Sequence, residues 1–185
     1  MFKIHSEEVP YQANSELLFD CLRDLPQAIW LDSGKPRSLQ GRFDIISACP
    51  KSMIETKGQQ SIICSEGQET KSTEDPFITA AQLLSEIQPI DTLSDVPFTC
   101  GLIGYFGYDL GRQVEAVSST NDSATHLPDM HLGLYLWSLV IDHELQKTTL
   151  YFHSTCEQSL IELIRSRLAN APVRQSQAFK LTKCF

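Results

Sequence analysis

Basic residues are scarce. The 185-residue chain has 15 Lys and Arg against 23 Asp and Glu, a formal net charge of -8. Its cations are scattered and form no patch, which argues against a nucleic-acid surface, because such surfaces are basic. Long apolar runs are lacking too. The longest, residues 132–141, is interrupted by Gly133 and Ser138 and falls well short of a membrane span. The opening residues, MFKIHSEEVP, turn acidic at once and contain no apolar signal core, so no export signal is read there. The expectation is a cytoplasmic protein without membrane or nucleic-acid partners.

Familiar reactive motifs are missing as well. Six cysteines stand at positions 21, 49, 64, 100, 156 and 184, and none forms a CxxC pair. The five histidines (5, 126, 131, 143, 153) form neither HxxxH nor HExxH. Zinc sites draw on closely paired ligands, so no metal or cofactor is expected in this chain. Without a secretory signal, reduced and mostly buried thiols are expected rather than disulfides. No GxSxG nucleophile turn occurs, which removes the strand-to-helix serine of the α/β-hydrolase type. The carboxylate pairs Glu7/Glu8 and Glu74/Asp75 are accounted for by a solvated loop and a helix start. Residue by residue, the chain shows no catalytic group.

What the chain does have is a glycine–aromatic stretch, Pro97 to Glu115, reading PFTCGLIGYFGYDLGRQVE. Aromatic and aliphatic residues favour a strand, and glycines within one mark a bend or a close backbone approach. A buried strand is expected, followed by a turn into a short helix with Asp109 as its N-cap. A phosphate-binding loop would need a helix opening beyond clear glycines; here bulky side chains separate the glycines, and no Gly-Lys-Ser/Thr follows.

Around that stretch the pattern predicts strands over 2–9, 28–31 (buried), from 42 to near Pro50 and over 148–153, a hairpin of 53–56 with 61–64, and a long inner strand ending near Ile141. Helices are expected over 16–25 (capped by Asn14 or Ser15), from Asp75-Pro76 to about 87, and from Thr155 with a Leu160, Leu163, Ile164, Leu168 stripe. Residues 66–74 read as a polar connector and 116–125 as an exposed loop. After Asn170 the chain turns linker-like, and 178–185 reads as a strand. The fold class is α+β, with mainly antiparallel sheets covered by about three helices.

One local constellation suits a ligand. If the strand end Leu31-Asp32-Ser33-Gly34 lies beside the strand start Gly41-Arg42-Phe43-Asp44, a hydroxyl, a guanidinium and an aromatic ring meet. Such a mix fits a small amino acid. The structural alternative is an Arg42–Asp salt link with Phe43 in the core.

Taken together, GYFGYDLGRQVE, Leu31-Asp32-Ser33-Gly34, Arg42-Phe43-Asp44-Ile45, Asp75-Pro76, Leu127-Pro128-Asp129-Met130 and Asp142-His143 resemble the component I chains of the chorismate-using amidotransferase synthases. The likeness runs along essentially the whole chain and is closer to the aminodeoxychorismate branch (para-aminobenzoate and folate synthesis) than to the anthranilate branch. It implies that residues 1–170 are the N-terminal domain of this fold, with 171–185 a linker and the start of a chorismate-binding domain. The family's catalytic lysine and glutamate, its chorismate-binding groups and its Mg2+ ligands would lie beyond this chain, which is then a fragment with no catalytic residue. A glutaminase subunit, component II, would supply ammonia to the whole enzyme. The resemblance also implies a tryptophan-type pocket, matched here by Leu31, Ser33, Arg42 and Phe43, with Gln40 and Gly41 just before. Two other readings are an anthranilate synthase component I fragment and a free-standing amino-acid-binding regulatory module.

Overall fold

A computed structural model describes residues 2–34, 41–87, 95–111 and 127–171. Its elements are β1 (Ile4–Val9), α1 (Glu16–Asp20), β2 (Ile29–Leu31), β3 (Phe43–Ser47), β4 (Ser52–Lys57), β5 (Gln60–Ser65), β6 (Gln68–Ser72), α2 (Pro76–Ser85), β7 (Gly101–Phe106), a 3-10 turn (Tyr108–Leu110), β8 (Met130–Tyr135), β9 (Trp137–Asp142), β10 (Lys147–His153) and α3 (Gln158–Ala169). They build two five-stranded sheets, ordered β1-β10-β9-β3-β2 and β6-β5-β4-β8-β7. Among the described residues every strand pairing is antiparallel. The described residues form three helices with these antiparallel sheets, the α+β class expected.

The long apolar run is two strands rather than one. The chain leaves the second sheet after Tyr135, passes Leu136 and enters the first sheet at Trp137. Because β8 and β9 are buried along nearly their whole length, their apolar pattern conceals the change of sheet. A second crossing, between β3 and β4, runs alongside. Trp137 Nε1 donates to the Ala48 carbonyl (2.8 Å), Ser47 Oγ to the Trp137 carbonyl (2.7 Å), and the Lys51 amide to the Leu134 carbonyl (2.8 Å). Trp137 is wholly buried. Burying a side chain of this size is worth on the order of 2–3 kcal/mol, and its N–H finds the acceptor that burial demands.

The helices bury most of the expected apolar residues and alter the ends. Leu17, Leu18, Leu22 and Leu25 are buried, but α1 is only five residues long and continues as turns. Ser15 makes no side-chain cap; its hydroxyl goes to Asp44 instead. Asp75 does cap α2, accepting from the Phe77 and Ile78 amides, with Pro76 at the first position. Helix α3 starts at Gln158 rather than Thr155, whose hydroxyl lies 2.6 Å from His153 Nδ1. Its buried stripe is Ile161, Ile164 and Leu168, and Leu163 faces outward.

Several other expectations need correction. The stretch 66–74 contains the edge strand β6, which its polar sequence (QETKS) disguised. Strand β2 is an edge strand, half-buried rather than buried, with Leu31 43% exposed. The glycine–aromatic stretch is a strand, but an edge one, and Tyr105 and Phe106 are exposed. A close backbone approach is present there: a Cβ on Gly104 would lie 1.9 Å from the His131 carbonyl oxygen. Gly107, not Asp109, stands at the cap of the 3-10 turn. Of the described cysteines, all are free thiols, but only Cys156 is buried and Cys64 is exposed. Residues 112–126 and 172–185, with their loop and strand expectations, lie outside the described residues, as do the linker and Cys184.

Candidate functional site

Strand β3 is the element on which the candidate site is built. Side chains alternate across a strand, so Phe43 and Ile45 face one side of the first sheet and Asp44 and Ile46 the other. The Phe43 side looks toward the second sheet. A cavity of about 540 Å3 lies there, bordered by Leu31 and Ile45 of the first sheet, by Ala80 and Leu84 of α2, by Pro97 and Phe98, and by Leu102, Gly104 and Phe106 of β7. Its lining is apolar, and its size is within the roughly 300–1,000 Å3 usual for small-molecule pockets. The Cys100 thiol, close to this region in sequence, is pushed up to about 11 by burial, so it stays protonated and unreactive at neutral pH.

A smaller cavity of about 170 Å3 adjoins, lined by Arg42, Phe43, Asp95, Asp142, Lys147 and Tyr151 among others. Pro97 borders both cavities. Arg42 forms a two-pronged link to Asp142, Nε to Oδ1 at 3.0 Å and Nη2 to Oδ2 at 2.6 Å, and reaches Glu144 at 3.2 Å. Its guanidinium also lies 4.6 Å from the centre of the Phe43 ring, a cation–π contact. The Asp142 bond raises the Arg42 value further. Burial alone would raise the Asp142 carboxyl, but Arg42 and the amides of Leu145 and Glu144 outweigh it and leave the group below its ordinary value.

The opposite side of β3 is closed and polar. Asp44 is wholly buried. Its Oδ1 accepts from the Ser33 amide at 2.9 Å and lies 2.8 Å from Ser33 Oγ. Its Oδ2 accepts from Ser15 Oγ at 2.5 Å and from His143 Nε2 at 2.8 Å. Tyr11 Oη stands 3.1 Å from His143 Nδ1. With Nε2–H committed to the carboxylate, Nδ1 is left to accept the Tyr11 proton; this tautomer is inferred from the partners. Ser33 Oγ is also 3.1 Å from the Gly41 carbonyl, and its one proton is shared between the two acceptors.

The expected constellation is therefore divided by the sheet. Leu31 lines the large cavity, Arg42 and Phe43 line the small one, and Ser33 meets Gly41 on the Asp44 side. Gln40 lies outside the described residues. The salt link raised as the structural alternative is present, with Asp142 as the acid. Sequence reasoning missed Asp44 and His143 as a linked pair. The available signal was an acid at the same strand parity as Ile46, between the apolar residues Phe43 and Ile45.

Comparison with known proteins gives a consistent answer. The family described as chorismate binding enzyme matches residues 26–183. Aminodeoxychorismate synthase component 1 of Escherichia coli K12 is 35% identical over 145 residues, covering 77% of this chain and 32% of the relative. The component 1 of Salmonella typhimurium is 33% identical over 175 residues, covering 92% of this chain and 38% of the relative. The chain thus spans about a third of the length of these relatives. Anthranilate synthase component I of Streptococcus pneumoniae TIGR4 superposes with a TM-score of 0.57 at 24% identity, covering 74% of this chain and 32% of that one; the likeness is one of fold.

Proposed function

This chain belongs to the family of chorismate binding enzymes, and we propose from that premise that it is the N-terminal, non-catalytic part of an aminodeoxychorismate synthase component 1. The whole subunit would replace the 4-hydroxyl of chorismate with an amino group, giving 4-amino-4-deoxychorismate for para-aminobenzoate and folate synthesis. The subunit would work in the cytoplasm, where a glutaminase subunit, component II, would supply the ammonia. The observation that carries the reading is the 35% identity to a component 1 over 77% of the chain. Residues 1–170 would form the N-terminal domain, and 171–185 the linker into the part that binds chorismate.

Within this reading the catalytic groups belong to the part of the subunit that the chain does not span. Magnesium belongs there too. Among the described residues no group of three or more His, Cys, Asp and Glu can hold a metal ion, so these side chains do not fit a magnesium site.

The role left to this chain is to hold an amino acid of tryptophan type. Its side chain would occupy the apolar cavity beside Leu31, and its charged end would turn past Pro97 toward Arg42 and Phe43. Ser33 and Gly41 would stand behind the Leu31 wall, on the Asp44 side of the sheet, and support it rather than touch the ligand. Because Arg42 is already paired with Asp142, a bound carboxylate would share or displace that partner, which keeps affinity modest.

The test is an assay of two proteins. The chain alone, given chorismate and ammonia, should form no aminated product. A full-length subunit bearing this sequence should form 4-amino-4-deoxychorismate. Amination by the chain alone overturns the non-catalytic reading, and anthranilate from the full-length subunit moves the protein to the other branch. Calorimetric titration of the chain with L-tryptophan tests the pocket.

A further inference from the structure

We propose that Asp44 is the positioning residue of the ligand cavity, fixing its Leu31 wall through Ser33. The inference rests on reading the cavity as an amino-acid pocket and goes on to say what shapes it.

Strand β2 has three residues and one neighbour, β3. Leu31 is its last residue, pairs with Ile45 and borders the large cavity with it. So short an edge strand frays unless its end is held. Two residues on, Ser33 presents both its amide and its hydroxyl to Asp44 Oδ1. Asp44 is itself immobile. It is buried, its Oδ2 is held by Ser15 beside α1 and by His143 in the β9–β10 turn, and the His143 amide donates to the Arg42 carbonyl at 3.0 Å. One carboxylate therefore ties the β2 end to the start of α1 and to the turn beside Asp142, the partner of Arg42. Both ends of the proposed ligand would meet walls that this residue aligns, although Asp44 faces away from the cavity.

An amide in its place would be the wrong partner. Asn has one oxygen, whereas both oxygens of Asp44 face donors. If the oxygen stays with Ser33, the new NH2 points at the Ser15 hydroxyl and at His143 Nε2, which must give up its proton to accept. His143 then changes tautomer, a signature that loss of packing alone would not produce.

The experiment compares wild type and Asp44→Asn by amide hydrogen exchange, by nitrogen NMR of His143 and by titration with L-tryptophan. Expected in the variant are faster exchange at Ser33, retained protection in β9 and β10, a His143 proton moved to Nδ1, and a dissociation constant raised roughly tenfold, as loss of a charge-assisted hydrogen bond would give. Unchanged Ser33 exchange, or unchanged affinity in a folded variant, overturns the proposal. If Asp44→Asn does not fold, Ser33→Ala takes its place; it keeps the amide bond, and a rise in the dissociation constant of about threefold is expected, with no change counting against the idea. Should wild type bind no L-tryptophan, the pocket reading fails, and Ser33 exchange alone decides whether Asp44 holds the wall.

Discussion

Two aspartates sit on successive rungs of one ladder and are treated in opposite ways. Asp142 pairs across from Phe43, and Asp44 across from Ile141. Asp142 lies on the cavity side, at the margin of solvent, and is matched by a guanidinium. Asp44 lies on the helix side, wholly buried, and is met by a backbone amide, two hydroxyls and an imidazole. The first arrangement exchanges partners at modest cost, because water and Glu144 are near. The second commits every donor named here to one geometry. A fold that must keep one side of a strand rigid and the other receptive places the satisfied acid inside and the ion pair at the rim.

The sharpest way to break that contrast is Asp44→Ala. It strips the acceptor from three buried or half-buried side chains and one amide, and the expected cost is about 3–4 kcal/mol. Denaturant unfolding measures it, and a loss below about 1 kcal/mol would erase the distinction between the two acids.

Asp142→Asn comes next, at about 1–2 kcal/mol at neutral pH. It also carries a pH signature. The folded Asp142 carboxyl lies below its ordinary value, so the folded state favours the charged form. That stabilisation is complete above the unfolded carboxyl value of about 4 and disappears as pH falls through the lower folded value. Wild type should therefore lose its advantage over Asp142→Asn progressively as pH falls below the unfolded carboxyl value; an advantage that stays constant through acid would refute the assignment.

Tyr11→Phe should cost about 1 kcal/mol, because it removes only the partner of His143 Nδ1. An effect as large as that of Asp44→Ala would mean that Tyr11, rather than the carboxylate, organises the helix side. Arg42→Lys is expected to be the mildest for stability, with an unfolding midpoint close to wild type, since the link is solvent-screened and an ammonium retains the charge. Its effect should appear instead in tryptophan affinity, where the two-pronged geometry counts; equal affinity would place the carboxylate elsewhere.

Much of the architecture was legible because burial and alternation leave local marks. The hairpin around Lys57-Gly58-Gln59, the Asp75-Pro76 helix start and the return of β10 on β9 all follow from short-range chemistry. The break at Leu136 was not legible, because a run buried on both faces carries no sign of which sheet each residue joins. Strand β6 was hidden by its polar sequence, as exposed edge strands often are. In the site, the Arg42–Asp link was foreseeable as a class of contact but not in its partner, which lies 100 positions away. The Asp44 cluster joins positions 11, 15, 33, 44 and 143, and no spacing rule spans such separations.

The Leu136 joint gives the molecule a mechanical character of its own. Tyr135 and Trp137 belong to different sheets, with a single residue between them, so neither sheet can slide without dragging the other. Side-chain parity has a period of two, and one extra residue at this joint would turn one sheet inside out relative to its neighbour. With the β3–β4 crossing meshed beside this joint, the two sheets behave as one gear train: they should assemble together and melt together, in one calorimetric transition rather than two.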